Sequence, residues 1–273
     1  WALYTNGHDT LRIAIGNNLL TKPYVSDLMR ANKSFIVNRS ATAPREKLKA
    51  AKHLSAYIHH SITEEQSNIW IAQREGRAKD GIDRTNSAVI GMLGLSKPKK
   101  VSLADYINEL NIVPVSISYE YDPTDALKMP QLLALSKDEV YIKEKNEDFI
   151  TLLSGIIGQK KRIHIHVGDV LENEFEKIKA ENDNNNKQIQ ALAHVIDDSI
   201  LQTYKLWPTN FIAYDILYAT KKFAHLYDEK ERQLFERRLE MRIDTNNETM
   251  KEGFLAMYAN PVVNKLKYTN DIS

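Results

Sequence analysis

The chain has 273 residues, with 37 lysines and arginines against 36 aspartates and glutamates, a formal net charge of +1. Apolar residues make up 42% and there are only 10 glycines and 8 prolines, so the chain can fill a core and is neither disordered nor collagen-like as a whole. The near-neutral balance argues against a general nucleic-acid binder. The absence of cysteine excludes disulfides, thiolate catalysis and zinc-thiolate sites together.

Arg12 to Ile15, Ser34 to Val37, Asn68 to Ala72 and Ile112 to Tyr119 are short runs rich in β-branched and aromatic residues, predicting strands that are mostly buried. Between the second and third, Pro44 sits where a first-turn proline belongs, and Leu48, Ala51, Leu54, Ser55 and Ile58 recur at helical spacing. Strands alternating with helices at this interval predict an α/β fold with a largely parallel mixed sheet flanked by helices. No run reaches the roughly 18 uncharged apolar residues of a membrane-spanning helix; the stretches from Ser87 to Leu95 and from Phe149 to Ile157 are about half that. Arg162 to Val167 alternates strictly and predicts an edge strand, with Arg162, His164 and His166 on a solvent-facing side.

The polar run from Glu181 to Asn186 marks a break. Beyond it Ile189, Leu192, Val195, Ile196, Ile200 and Tyr204 predict an amphipathic helix. Pro208 interrupts, further helical patterns run to about Leu266, and the charge-dense stretch from Asp228 to Arg242 is expected to be a solvated helix with oppositely charged neighbours one turn apart. Residues 1–180 are thus expected to form the α/β domain and residues 181–273 a helical C-terminal appendage.

No Gly-x-Gly-x-x-Gly, phosphate-loop, His-Glu-x-x-His or Gly-x-Ser-x-Gly motif is present. What remains is a set of polar residues just after strands, where open α/β sheets place ligands. One strand delivers Arg39. Another runs into Arg74-Glu75-Gly76-Arg77-Ala78-Lys79-Asp80-Gly81, and a third carries Val113-Pro114-Val115 and continues to Tyr119-Glu120-Tyr121-Asp122. Paired arginines can grip a phosphate bidentately, and Gly76 would allow close backbone approach. Salt bridges at strand ends are the competing reading.

In this order the segments resemble blocks of the glycerolipid acyltransferase superfamily, which acylates glycerol 3-phosphate and lysophosphatidic acid. The strand ending in Arg39 resembles its second block, Glu75-Gly76-Arg77 through Gly81 its third, and Ile112-Val113-Pro114-Val115 its fourth. Ile15-Gly16-Asn17-Asn18-Leu19 and Ser118-Tyr119-Glu120 are similar to the glycerol 3-phosphate branch. The resemblance spans about residues 11–170. It implies transfer of a fatty acyl group from acyl carrier protein or coenzyme A to a glycerol-phosphate-type hydroxyl in phospholipid biosynthesis. The enzyme would need no metal or other cofactor and no nucleic acid, and would work peripherally at the cytoplasmic face of a membrane. By this resemblance Arg39 and Arg77 or Lys79 would bind the acceptor phosphate. Glu75 and Gly76 would shape that pocket, and Pro114 would wall the acyl site. An acyltransferase for an amino-acid lipid, or a non-catalytic module binding anionic lipid headgroups, are the alternatives.

The superfamily's first block, Asn-His-x-x-x-x-Asp, supplies the general base and its orienting aspartate. It should precede Gly16 by two or three dozen residues, so it is expected upstream of Trp1. His164 and Asp169 match His-x-x-x-x-Asp by spacing alone, after the other blocks, and no catalytic role is expected of them. His59 and His60 are expected at a helix end, favourably placed in the helix dipole. The basic helix carrying Lys47, Lys49, Lys52 and His53 reads as a solvated flank of the sheet or as an interfacial helix.

Overall fold

The computed structural model describes residues 2–17, 20, 23–74 and 78–268. The fold is α/β, with a three-stranded parallel sheet flanked by helices and a helical C-terminal region. In chain order the elements are α1 (Ala2–Thr5), β1 (Arg12–Gly16), α2 (Pro23–Ala31), β2 (Ser34–Val37), α3 (Pro44–Thr63), β3 (Ile69–Trp70), α4 (Ser87–Leu93) and α5 (Leu103–Asn108). They continue with β4 (Val115–Tyr119), α6 (Asp125–Ser136), α7 (Glu147–Ile157), β5 (Ile163–Val167), α8 (Glu172–Glu181) and α9 (Asn185–Thr203). The last are α10 (Pro208–Leu217), α11 (Glu229–Arg242) and α12 (Glu248–Tyr268).

The chain folds as two compact units that interleave in sequence. The first holds residues 1–75, 84–114 and 169–197, the second residues 76–83, 115–168 and 198–273. In the first, the sheet order is β2-β1-β3, all parallel, with Gly16 opposite Val37 and Ile13 opposite both Ser34 and Trp70. Pro44 opens α3 as its spacing predicts. Its missing N–H lies where no intrahelical acceptor exists. Asn86 caps α4 by accepting from the Ala88 amide, and Ser102 caps α5 by accepting from the Asp105 amide. Ile90, Leu103, Ile107, Phe175, Ile178 and Leu192 close a helical core around a void of about 10 Å³, room for one water at most.

In the second unit β4 and β5 pair antiparallel, with Ser116 opposite His166 and Ser118 opposite His164. The strand anticipated from Ile112 begins only at Val115. Pro114 has no N–H to give to a ladder, although the Ile112 carbonyl accepts from the Leu171 amide at 3.0 Å. Pro208 does not merely interrupt a helix but opens α10. The core lies among α6, α10, α11 and α12, where Phe235, Phe254 and Ile212 are fully buried beside Met129 and Tyr258. Ring contacts of Phe235 with Phe254 at 6.3 Å and with Tyr258 at 5.2 Å knit α11 to α12.

Candidate functional site

In the first unit the parallel arrangement brings the carboxyl ends of β1 and β2 together at Gly16 and Val37, the position that collects ligands in open α/β folds, while β3 ends opposite Ile13. β1 ends at Gly16 and passes into Asn17; β2, its neighbour in register, passes into Asn38 and Arg39. The Arg39 amide donates to Asn17 Oδ1 at 3.0 Å, tying the two strand ends together. β3 passes into Gln73 and Arg74. The Gln73 carbonyl accepts from the Asn86 amide at 2.9 Å, so the start of α4 is anchored to the chain that follows β3. Asp197 receives both the backbone N–H and the hydroxyl of Thr85, at 2.7 and 2.6 Å. Arg39 is exposed and Arg74 half-buried.

The remaining anticipated site residues fall differently. Glu75, Gly76 and Arg77 lie outside the described residues, as do Asn18 and Leu19. Lys79 belongs to the second unit, in a turn where the Asp80 side chain accepts from the Ile82 amide and the Asp80 carbonyl accepts from Asn260 at 2.7 Å. Pro114 is buried in the first unit. Arg39 and Arg74 therefore follow strands of one sheet, and Lys79 does not belong to that unit.

Beside these strands a cleft of about 610 Å³ opens between β2 and α3. Its apolar wall is Phe35, Ile36, Leu54 and Tyr57, with the Phe35 and Tyr57 rings 4.9 Å apart. Asn38, Ser40, Lys49 and His53 supply its polar groups, and Arg39 is not part of the lining. His59 turns away from this cleft's chemistry. It stacks on Tyr106 at 4.2 Å, with Nε2 2.8 Å from Glu109, a tertiary partner rather than a bare dipole placement.

The second unit holds a charge network that the sequence reading did not foresee. Glu120 is fully buried between Lys161 at 2.6 Å and Arg162 at 2.5 Å. Asp122 pairs with Lys128 at 2.5 Å and caps its own loop through Thr124. Asp125, also fully buried, accepts from Arg238, Arg242 and Tyr258 at 2.7, 2.7 and 3.0 Å. Burial raises the Glu120 and Asp122 carboxyls, but Arg162 with Lys161, and Lys128 with Thr124, outweigh it and hold both below their ordinary values. The network fastens the loop after β4 to α11 and α12.

Two expectations are corrected by this unit. The stretch from Asp228 to Arg242 is solvated only in part: Arg232 pairs with Glu236 one turn on, whereas Phe235, Arg238 and Leu239 are buried. His164 and His166 do not lie on the solvent side of β5. Ile163, Ile165 and Val167 are 50%, 47% and 56% exposed, and the histidines are the more covered. The reason is that the polar face of the β4–β5 pair meets polar groups: Thr203 donates to Ser116 at 3.1 Å, and Thr209 donates to the Glu120 carbonyl at 2.9 Å. His164 and Asp169 fall in different units.

A pH dependence follows from the lowered carboxyls. Their stabilisation is complete above the unfolded values near pH 4 and is lost as pH falls through the lower folded values. Urea unfolding of the second unit should show stability falling steeply below about pH 4, with a shallower fall in Glu120→Gln. An unchanged slope in that variant would remove Glu120 from the explanation.

No protein-family model and no curated protein sequence matches the chain. Among the described residues no helix is long and apolar enough to cross a membrane, and no group of three or more His, Asp or Glu side chains could hold a metal ion.

Proposed function

We propose that the chain supplies the acceptor-binding part of an acyltransferase, which moves a fatty acyl group from an acyl carrier protein or coenzyme A thioester to the hydroxyl of a glycerol-phosphate-type acceptor. The observation that carries this reading is the tie between Asn17 and Arg39 at the carboxyl ends of two strands paired in parallel. These residues belong to the segments that carry the resemblance. Arg39 binds the acceptor phosphate through its guanidinium, a fork whose donors match phosphate oxygens. Glu75 shapes the pocket and Pro114 walls the acyl site. In the reaction the acceptor oxygen attacks the thioester carbonyl, its proton passes to a histidine base, and the thiol leaves, with no acyl-enzyme. The base belongs to the His-x-x-x-x-Asp block.

Calorimetric titration with glycerol 3-phosphate tests the binding half without requiring turnover. Arg39→Ala should weaken binding by about 10- to 100-fold, the loss of charge-assisted hydrogen bonds of roughly 1.5–3 kcal/mol. An unchanged affinity would transfer the reading to an acceptor without phosphate, such as an amino-acid lipid.

A further inference from the structure

We propose that the outward face of α3 docks on an anionic lipid bilayer. Arg45, Lys49 and Lys52 recur at i, i+4 and i+7 and are all exposed, with exposed Ala56 next in the series. They therefore form one stripe along the helix, while Ser55, Ile58 and Ser61 are buried on its inner side. Lys47 and His53 flank the stripe, and Glu46 is the helix's single acid. Glu64 and Glu65 follow at its far end, where Glu65 pairs with Arg12 and stands 3.9 Å from His60.

The side chains of Arg45, Lys47, Lys49 and Lys52 make no ion pair or hydrogen bond with another described residue. Four cations against one acid, uncommitted within the fold, are the charge complement of an anionic surface. Lipid is favoured over nucleic acid because the stripe adjoins exposed aliphatic groups, Leu48 at 58% and Ile36 at 49%. Aliphatic side chains gain at a headgroup boundary and gain nothing on a phosphate backbone. The choice of a bilayer rests on the lipid chemistry proposed above; the choice of face rests on α3 alone.

The test is co-sedimentation of the whole chain with phosphatidylcholine vesicles, with and without phosphatidylglycerol. Binding should require phosphatidylglycerol and weaken with salt. Arg45→Glu/Lys49→Glu/Lys52→Glu should lose at least about a hundredfold in affinity, at roughly 1 kcal/mol per basic residue removed. It should keep the wild-type melting curve, since these side chains hold nothing. The control Lys137→Glu/Lys145→Glu/Lys230→Glu should bind as wild type. Equal binding to both vesicle types, wild-type binding by the α3 variant, an equal loss in the control, or displacement by duplex DNA would each overturn the proposal. Because this assay uses no acceptor, a failure to bind glycerol 3-phosphate alongside intact vesicle binding would remove only the acyltransferase reading.

Discussion

Asp125→Ala should destabilise the second unit by about 3–5 kcal/mol, the cost of breaking a buried ion pair by removing one partner. Asp125 is completely buried, and two guanidiniums converge on it: Arg238 donates at 2.9 Å through Nε and stands at 2.7 Å through its terminal nitrogen, and Arg242 donates at 2.7 Å. Arg238 also donates to the Asp122 carbonyl and lies over the Tyr121 ring at 4.4 Å. Without the carboxylate, Arg238 is left charged with little access to water, and Tyr258, which donates to the same carboxylate, loses its acceptor. The charge left behind dominates this loss, so Asp125→Leu/Arg238→Leu should recover part of it. Equilibrium urea unfolding measures both. A loss below about 1 kcal/mol in the single variant, the range of solvated pairs, would contradict the buried network.

Gly81→Ala should cost about 2–5 kcal/mol, combining roughly 1–2 for a left-handed backbone with roughly 1–3 for overpacking. Gly81 has φ +76°, and an added Cβ would stand 2.2 Å from the Met257 carbonyl oxygen and 3.2 Å from Pro261. The cause reaches back to α12. Pro261 has no N–H to give to the carbonyl four residues earlier, which is that of Met257, and the 80–81 turn lies directly against this bare carbonyl. Asn260 holds the same turn through the Asp80 carbonyl. The neighbour is backbone and cannot swing aside. A thermal shift no larger than that of Gly7→Ala, where φ is +80° but nothing lies within 4 Å, would show that the close approach does not matter.

These positions show which information is local in the sequence. The strand from Ser34 to Val37 and the proline-initiated start of α3 depend on residues within a few positions of one another, and they emerge where their patterns predict. Partnerships across the chain leave no such mark: His59 with Glu109, and Asp125 with Arg238, are 50 and 113 residues apart. Some signal was available for the second. Phe235, Arg238, Leu239 and Arg242 fall at i, i+3, i+4 and i+7, an inward stripe in which two arginines sit among apolar residues. Ser116, Ser118 and Glu120 alternate with Val115, Ile117 and Tyr119, and the convention of apolar inside assigns the wrong face inward. A fully buried glutamate inverts that rule only when cations elsewhere meet it, which no local pattern reveals. In the candidate site, the place of Arg39 at a strand end was readable from the strand before it. Its tie to Asn17 required the parallel pairing of β1 with β2.

The most direct test of the proposed function is a heteronuclear NMR titration of the whole chain with glycerol 3-phosphate, following backbone amides. Saturable shifts should concentrate on Asn17, Asn38 and Arg39, just beyond the ends of β1 and β2, and vanish in Arg39→Ala. Shifts confined to other residues, or no saturable shifts at all, would contradict the proposed function.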